Sequence, residues 1–221
     1  MTVSSLPTAP QNYLKVVWAL TEWSDQPVTT KLLGEKTGLR MSTVSETVKK
    51  LTEQGLLKHE PYGAIELTED GRRHALAMVR RHRLIETFLV EVLGLGWDEV
   101  HDEAEELEHA VSDRLIARID SHLGHPTRDP HGDPIPAEDG SISQLHAHPL
   151  TQAPKGRELT VERISDADSE LLKFLAQRGL SVGQCVTVQP GEPFSGSLTV
   201  SWDGGSVDLS VGVCGSIYVS W

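Results

Sequence analysis

The sequence predicts a mainly α-helical protein with a small β domain at its C-terminal end. Three observations support this fold class. Over roughly the first 120 residues, apolar side chains recur at three- and four-residue spacing, which is typical of amphipathic helices. A glycine turn at Gly38 joins two short helical stretches. After residue 156, apolar and polar residues alternate in short runs, as they do in half-buried strands.

The first predicted unit, residues 1–70, begins with an amphipathic helix over residues 11–23. Thr29 or Thr30 can cap a second helix, which Gly38 ends. A helix, a tight glycine turn and a further helix have the spacing of a helix-turn-helix.

The third helix and a hairpin complete this unit. Ser42 can cap the third helix, in which apolar residues again repeat every three to four positions. Two short alternating runs then flank Pro61-Tyr-Gly and predict two paired strands. The whole is a winged helix-turn-helix.

The second predicted unit, residues 71–140, is helical. Thr68 can cap a long helix that runs to about Val92, and residues 97–123 form a further helical stretch with a break near Val111. Adjacent helices with apolar faces favour a dimerisation domain. The alternative is that they only complete one core.

The composition changes between residues 124 and 155, where six of the twelve prolines lie and no periodicity is sustained. Residues 141–155 are therefore predicted to be a proline-containing linker. Residues 156–221 contain a short polar helix and several alternating runs, which predict a small, mostly β barrel.

Composition and charge exclude several classes of protein. The 221 residues are 38% hydrophobic and 24% charged, which argues against a disordered or fibrous chain. Only two cysteines are present and no apolar run approaches a membrane span, so a cytoplasmic protein without a membrane partner is expected. The net charge of −12 is uneven, because residues 1–80 carry ten basic and nine acidic side chains and residues 81–125 carry four and eleven. The first part can approach a polyanion, and the acidic part can hold cations.

Six histidine and glutamate side chains fall on single faces of two successive predicted helices. They are His82 and Glu86 on the first helix, and His101, Glu105, Glu108 and His109 on the second. Converging imidazoles and carboxylates can hold a divalent cation. The alternative is a solvated acidic face, since further carboxylates share this segment. The alternation of histidine and glutamate on both helices favours metal.

The ligand types restrict the choice of metal. None of the six is Cys or Met, so Mn²⁺, Fe²⁺, Co²⁺ and Zn²⁺ remain as candidates. The affinity of nitrogen and oxygen ligands rises from Mn²⁺ towards Cu²⁺, so a preference for Mn²⁺ must come from coordination number, geometry and metal supply.

Together these features resemble the diphtheria-toxin-repressor family of metal-activated transcription factors, in the long form that ends in an SH3-like (FeoA-like) domain. The match runs from end to end. The matching stretches are Tyr13-Leu-Lys, Ser42-Thr-Val-Ser-Glu-Thr-Val, Arg81-His-Arg-Leu-Ile-Glu, Val100-His-Asp-Glu-Ala-Glu-Glu-Leu-Glu-His-Ala-Val-Ser-Asp and His131-Gly-Asp-Pro-Ile-Pro. The histidine-containing stretches and the last run are the specific ones.

The resemblance implies two metal sites. The primary site would comprise Asn12, Glu105, Glu108 and His109. The ancillary site would comprise His82, Glu86 and His101, completed by Asp166 and Ser169, with Asp168 or Glu170 as alternatives.

The resemblance also bears on the metal. Iron-responsive members carry Cys at the position of Glu105 and Met at that of Asn12, whereas manganese-responsive members carry Glu and Asp. Glu105 therefore indicates Mn²⁺, and Asn12 departs from the pattern as a neutral oxygen donor. Fe²⁺ is the alternative, and Co²⁺, Zn²⁺ or Cd²⁺ would serve as surrogates.

The resemblance further implies that the third helix lies in the major groove of DNA. The residues that would face DNA are Thr30, Arg40, Ser42, Thr43, Ser45, Glu46 and Lys50. Hydroxyls and the lysine can hold phosphates, Glu46 can accept from a cytosine amino group, and Arg40 can pair with guanine or a phosphate. The alternative is that these are merely exposed helix residues.

The sequence thus predicts a homodimeric, Mn²⁺-activated repressor that binds a palindromic operator and controls metal-uptake genes, with no small-molecule substrate. An Fe²⁺-responsive regulator is the alternative within the class, and a metalloenzyme or metal-storage protein is the alternative outside it. An enzyme should leave a coordination position open beside an acid or base, and no substrate pocket or nucleophile motif is apparent in the sequence.

Overall fold

The computed structural model describes residues 6–60 and 63–221, so Pro61 and Tyr62 of the predicted hairpin lie outside the described residues. It confirms the predicted fold class. The N-terminal part contains helices α1 (Thr8–Glu22), α2 (Thr30–Thr37) and α3 (Met41–Glu53) and strands β1 (Leu57–His59) and β2 (Ile65–Leu67). The two strands pair in antiparallel register, with Leu57 opposite Leu67.

The N-terminal core forms because the three helices point apolar residues at one another. Leu14, Leu33 and Val44 are fully buried, one on each helix. The Thr29 side chain caps α2 by accepting from the backbone N–H of Leu32, and Gly38 ends the helix with a φ of +67°. That left-handed conformation is one that glycine adopts without strain.

The prediction that Ser42 caps the third helix is wrong. Helix α3 begins at Met41, and Arg40 takes the cap position without a capping side-chain bond. Ser42 lies inside the first turn and is exposed.

Helix α4 (Glu69–Glu91) joins the two helical parts because it packs on both α1 and α5. The Thr68 hydroxyl caps it by accepting from Gly71 N at 3.0 Å. Gly71 is required here, since a Cβ at this position would lie 1.9 Å from the Leu56 carbonyl oxygen.

Helices α5 (Val100–Ala110) and α6 (Asp113–His122) follow, with the predicted break between them. Val111 and Ser112 have extended backbone, and the Ser112 side chain caps α6. Leu84 of α4 and Ala104 of α5 are buried in a second core.

The C-terminal unit is a six-stranded antiparallel sheet with the order β3-β8-β4-β5-β6-β7. Its elements are β3 (His148–Pro149), β4 (Glu158–Ile164), α7 (Ser169–Gln177), β5 (Cys185–Pro190), β6 (Ser197–Trp202), β7 (Gly205–Ser210), α8 (Val211–Cys214) and β8 (Ile217–Ser220). Strand β3 and the fully buried Leu150 belong to this unit although they precede residue 156, because β3 pairs with β8.

Part of the proline-rich region is tightly packed. His131, Asp133 and Ile135 are buried, and Gly132 has a φ of +88°. A Cβ on Gly132 would lie 2.0 Å from the carbonyl oxygen of Glu162 on β4, so the loop approaches the sheet backbone directly.

An aromatic clamp joins the end of α1 to the sheet. The Arg163 guanidinium of β4 lies 4.1 Å from the ring centre of Trp23 and 5.1 Å from that of Tyr218 on β8. Arg163 Nε also donates to Asp133 Oδ1 at 2.7 Å. We call Trp23, Arg163 and Tyr218 the aromatic clamp. Within the described ranges, no helix combines the length and the apolar character that crossing a bilayer requires.

Candidate metal centre and DNA-facing helix

Helices α4 and α5 bring the predicted histidine and glutamate side chains together. His82 and Glu86 are one turn apart on α4, and the imidazole Nε2 of His82 lies 2.9 Å from Glu86 Oε1. Across from them on α5, His101 Nδ1 lies 3.2 Å from His82 Nε2 and 3.4 Å from the same Glu86 oxygen. Three predicted ancillary residues therefore meet at one place.

Asp166 of the C-terminal unit joins this group, because its Oδ2 lies 3.4 Å from His101 Nδ1. His82, Glu86, His101 and Asp166 offer ligand atoms within 4.8 Å of one another. We call these four residues the upper group. Ser169 lines a surface pocket that His101 also lines.

The two alternatives to Asp166 have other partners. Asp168 accepts from the backbone N–H groups of Glu170 and Leu171 and so caps α7. The Glu170 carboxylate pairs with Lys173 at 3.0 Å.

The charges in the upper group support one another. Burial would raise the pKa of Glu86, but the positive charge of His82 and a hydrogen bond from His101 lower that pKa well below its usual range. Hydrogen bonds to Asp166 and Glu86 raise the pKa of His101 to about 10. Burial opposes protonation of His82, yet the charge of Glu86 raises its pKa to about 9. The carboxylates of the upper group thus favour protonation of the imidazoles beside them, and the imidazoles favour ionisation of the carboxylates.

The predicted primary residues lie where α1 meets α5. The His109 Nδ1–H donates to Gln11 Oε1 of α1 at 2.9 Å, and this bond leaves Nε2 with its lone pair. Glu108 Oε1 lies 3.4 Å from that Nε2. Asn12, next to Gln11, completes the predicted set.

Three buried atoms of this set lack a hydrogen-bond partner among the described residues: Asn12 Oδ1, Glu108 Oε1 and His109 Nε2. Each of these atoms has a lone pair that can accept a hydrogen bond or bind a metal. Burying such an atom without either partner costs free energy. Two oxygens and an imidazole nitrogen are ligands that a divalent cation takes. These donor types therefore fit a metal ion, although the structure groups Glu105 and Glu108 with His82 rather than with His109.

Glu105 faces a lysine that the sequence did not single out. Lys15 Nζ of α1 lies 2.5 Å from Glu105 Oε1, 2.7 Å from Glu108 Oε2 and 3.0 Å from His82 Nδ1. His82, Glu105 and Glu108 also offer ligand atoms within 4.8 Å of one another. We call these three residues the lower group.

His131 is a further residue near the metal ligands that the sequence analysis did not assign to either site. It is fully buried, and its Nε2 contacts the Trp97 carbonyl oxygen at 2.7 Å. Its Nδ1 lies 3.7 Å from Glu86 Oε2, so His131 faces the other oxygen of the carboxylate that His82 and His101 contact. The His131-Gly-Asp-Pro-Ile-Pro run is the signal that could have identified it.

The predicted DNA-facing residues lie on one open surface. Val44 and Val48 of α3 are buried, whereas the other side of the helix is exposed. The exposed predicted residues are Arg40, Ser42, Thr43, Ser45, Glu46 and Lys50. Thr30, at the start of α2, is half-buried. Lys50 Nζ pairs with Glu46 Oε1 at 2.8 Å, so these two side chains neutralise each other in the free protein.

Comparison with protein families agrees with this architecture. Residues 5–65 match the iron dependent repressor N-terminal DNA binding domain. Residues 68–137 match the iron dependent repressor metal binding and dimerisation domain, and residues 148–220 match the FeoA domain.

A curated relative covers most of the chain. The iron-dependent repressor IdeR of Mycobacterium leprae is 34% identical over 201 residues, which is 85% of this chain and 86% of that protein.

Solved structures are similar as well. A manganese-dependent transcriptional repressor in complex with manganese is 53% identical with a TM-score of 0.88, and the match covers 95% of this chain and 98% of that one. ScaR with bound Zn²⁺ is 32% identical with a TM-score of 0.83, and the match covers 96% of this chain and 98% of the ScaR chain.

Two of the three matched family models and the curated relative are repressors, and these two models describe a DNA binding domain and a metal binding and dimerisation domain. These findings confirm the resemblance drawn from the sequence. The chain belongs to the diphtheria-toxin-repressor family of metal-dependent, DNA-binding transcriptional repressors.

Proposed function

We propose that this protein is a homodimeric, Mn²⁺-activated repressor that acts in the cytoplasm on the palindromic operators of metal-uptake genes. The proposal rests on three buried atoms of α1 and α5 that can bind a metal through a lone pair. Asn12 Oδ1, Glu108 Oε1 and His109 Nε2 have no hydrogen-bond partner in the part of the chain that the structure describes. These atoms tie the metal site to the DNA-binding unit, because α1 belongs to that unit.

The chain's own residues already link the two units at this junction. Gln11 of α1 accepts from His109 of α5, and Lys15 of α1 donates to Glu105 and Glu108. Helix α1 packs in one core with α2 and α3, so its angle to α5 sets the direction in which α3 is presented. A divalent ion, when bound, supplies ligand bonds and positive charge that fix this angle.

An apolar surface supports the homodimer. Leu107 of α5 and Leu115 of α6 are exposed, with 37% and 49% of their surface accessible, and Leu93 is 57% exposed. Exposed large apolar side chains on neighbouring helices are typical of a helical dimer interface. A two-fold dimer presents two copies of α3, which is the geometry that a palindromic operator requires.

Mn²⁺ is favoured over Fe²⁺ by the ligand chemistry. The proposed primary residues offer an amide oxygen, two carboxylates and an imidazole, and no sulfur. Hard oxygen ligands suit Mn²⁺, whereas sulfur ligands favour softer ions. The similar manganese-bound repressor supports the same assignment, although the curated relative of this chain is named as iron-dependent. Zn²⁺, Cd²⁺ and Co²⁺ are expected to act as surrogates, as Zn²⁺ and Cd²⁺ bind to ScaR.

The deciding experiment compares operator binding in buffered free Mn²⁺ and anaerobic free Fe²⁺. A duplex selected by the Mn²⁺-loaded protein from a randomised pool provides the operator. We expect tight binding with Mn²⁺ at lower free concentration than with Fe²⁺, and loss of binding when a chelator is added. By linkage, the duplex should raise Mn²⁺ affinity by the same factor that Mn²⁺ raises affinity for the duplex.

Two results would contradict the proposal. Binding that a chelator leaves unchanged would remove metal from the mechanism. Activation by Fe²⁺ at lower free concentration than by Mn²⁺ would establish the iron-responsive alternative.

A further inference from the structure

Lys15 is a positively charged side chain placed inside a group of metal-type ligands. Its Nζ lies within 3.0 Å of His82 Nδ1, Glu105 Oε1 and Glu108 Oε2, and its side chain is only 14% exposed. The same three residues form the lower group, which has the ligand types and spacing of a cation site. The ammonium therefore lies where a metal ion could lie.

The placement is stabilising because Glu108 is fully buried. Burying a carboxylate without a partner costs free energy. The Lys15 ammonium offsets this cost because it lies 2.7 Å from Glu108 Oε2, and it also contacts His82 and Glu105. Lys15 reaches Glu108 from α1, so its charge also holds the DNA-binding unit against α5. An ammonium group does not dissociate into solvent as an ion does, because the chain tethers it.

Glu108 divides the region into two cation positions. Its Oε2 faces Lys15 at 2.7 Å, whereas its Oε1 is buried, has no hydrogen-bond partner among residues 6–60 and 63–221, and lies 3.4 Å from His109 Nε2. The first position already holds a positive charge. The second has donors but no positive charge of its own.

We propose that the Lys15 ammonium is a built-in cation that permanently fills the lower group, so that metal loads only beside it, on the Asn12 and His109 side of Glu108. Lys15 thereby limits the number of ions that the centre accepts and contributes one fixed link between α1 and α5. This inference rests on the proposed metal-sensing function and names the regulation of its site.

Counting bound Mn²⁺ tests the inference. Lys15→Gln removes the charge and leaves an amide oxygen beside Glu105 and Glu108. We expect this variant to bind one more Mn²⁺ per chain than the wild type in equilibrium dialysis with elemental analysis. The added ion should also produce a spin-coupled Mn²⁺ pair in the electron paramagnetic resonance spectrum.

Two control variants separate occupancy from general electrostatics. Lys15→Arg keeps a positive charge at the same place and should bind the wild-type number of ions. Lys31→Gln removes an exposed charge on α2 that pairs with Glu35, and it should also leave the number unchanged. An unchanged count in Lys15→Gln, or the same gain in Lys15→Arg, would overturn the inference.

Anomalous diffraction from wild-type crystals grown with Mn²⁺ provides a test that needs no variant. We expect Lys15 Nζ to remain in contact with Glu105 and Glu108, with manganese density beside them. Manganese density between Glu105 Oε1, Glu108 Oε2 and His82 Nδ1, with Lys15 displaced, would refute the inference while leaving the proposed function intact. Absence of any Mn²⁺ binding to the wild type would instead refute the proposed function.

Discussion

Glu86 is the side chain on which the upper group converges. Its Oε1 faces His82 at 2.9 Å and His101 at 3.4 Å, and its Oε2 faces His131 at 3.7 Å. It is fully buried, so its charge must be balanced within the protein. The raised pKa values of His82 and His101 allow imidazole protons to supply this balance.

This charge balance predicts a pH-dependent affinity for metal. The pKa of His82 is raised to about 9 and that of His101 to about 10, so this pair of rings holds more protons at neutral pH than two free imidazoles would. Because a metal needs the unprotonated nitrogen, binding at the upper group should release up to about two protons per ion. Affinity should therefore rise as pH increases from 6 to 9. Titration calorimetry in two buffers of different ionisation enthalpy measures the released protons.

His101→Gln is the matched variant, and it should lower the number of released protons by about one. Metal binding without proton release in the wild type would contradict the raised pKa values.

Glu105 is the residue that we propose sets the metal preference of the primary site. Replacing its carboxylate with a thiolate in Glu105→Cys should move the order of metal affinities towards softer ions such as Zn²⁺ and Cd²⁺, by about tenfold or more relative to Mn²⁺. Competition titrations with a metal-binding dye give the order. Glu106→Cys places a thiol on an exposed neighbouring position of α5 and serves as the control. An unchanged order in Glu105→Cys would count against a role for this residue in selectivity.

At the residue level, side chains with helical spacing were predictable and side chains from distant segments were not. The i, i+4 spacing of His82 and Glu86 is visible in the sequence and places them on one face. Lys15 reads as an ordinary surface residue, because its partners lie 67 to 93 positions away. His131 reads as a loop residue, since nothing local shows that the loop is buried.

Among the elements, β4 has the widest role because it connects three parts of the molecule. Arg163 of β4 stacks on Trp23 at the end of α1, donates to Asp133 of the buried loop and faces Tyr218 of β8. Three residues farther along the chain, Asp166 contacts His101. Asp166 lies two residues beyond the end of β4, so the strand that contacts the end of α1 through Arg163 also leads directly to a candidate ligand.

Removing the Arg163 side chain should destabilise the protein. Arg163→Ala leaves the buried Asp133 carboxylate with one cationic partner fewer, and the expected loss is about 3 kcal/mol in the free energy of unfolding. Denaturant unfolding followed by circular dichroism measures it. Arg178→Ala removes a guanidinium that stacks on Phe174 at 3.7 Å but is exposed, and should cost about 1 kcal/mol or less. Equal losses in the two variants would show that the clamp adds nothing beyond stacking.

Local signals predicted most elements, and long-range pairing accounts for the rest. Thr68 at the start of α4 and Ser112 at the start of α6 show capping chemistry that can be read directly. Strand β3 has only two residues, and its pairing of His148 with Val219 spans most of the C-terminal unit. The packing of residues 131–136 depends on ion pairs with Arg83 and Arg163, which no periodicity reveals.

On the scale of the whole molecule, charge separates the unit that reads DNA from the rest. Residues 1–80 carry ten basic and nine acidic side chains, so the net charge of −12 arises entirely after residue 80. Because the DNA-binding unit is nearly neutral, it can neutralise few DNA phosphates. Operator affinity should therefore depend more on dimerisation and metal than on general electrostatic attraction to DNA.

Metal should also stabilise the whole fold, because the proposed ligands come from α1, α4, α5 and the C-terminal unit and converge only in the folded state. At a free Mn²⁺ concentration of 100 times its dissociation constant, the stabilisation is about 2.7 kcal/mol. For a protein of this size that corresponds to a rise in melting temperature of about 5 to 10 °C. Differential scanning calorimetry with and without Mn²⁺ measures the shift.

Glu108→Gln removes a charge that serves both cation positions and should abolish most of the rise. An equal rise in that variant would place the stabilising ion elsewhere.

The aromatic clamp makes Trp23 an optical probe of the joint between α1 and the sheet. Indole emission responds to a stacked guanidinium and to a neighbouring phenol ring, so the intensity and wavelength of Trp23 fluorescence should change whenever α1 shifts against β4. With the other four tryptophans replaced by phenylalanine, the protein would report its own transition between metal-free and DNA-ready states in real time, without an attached dye.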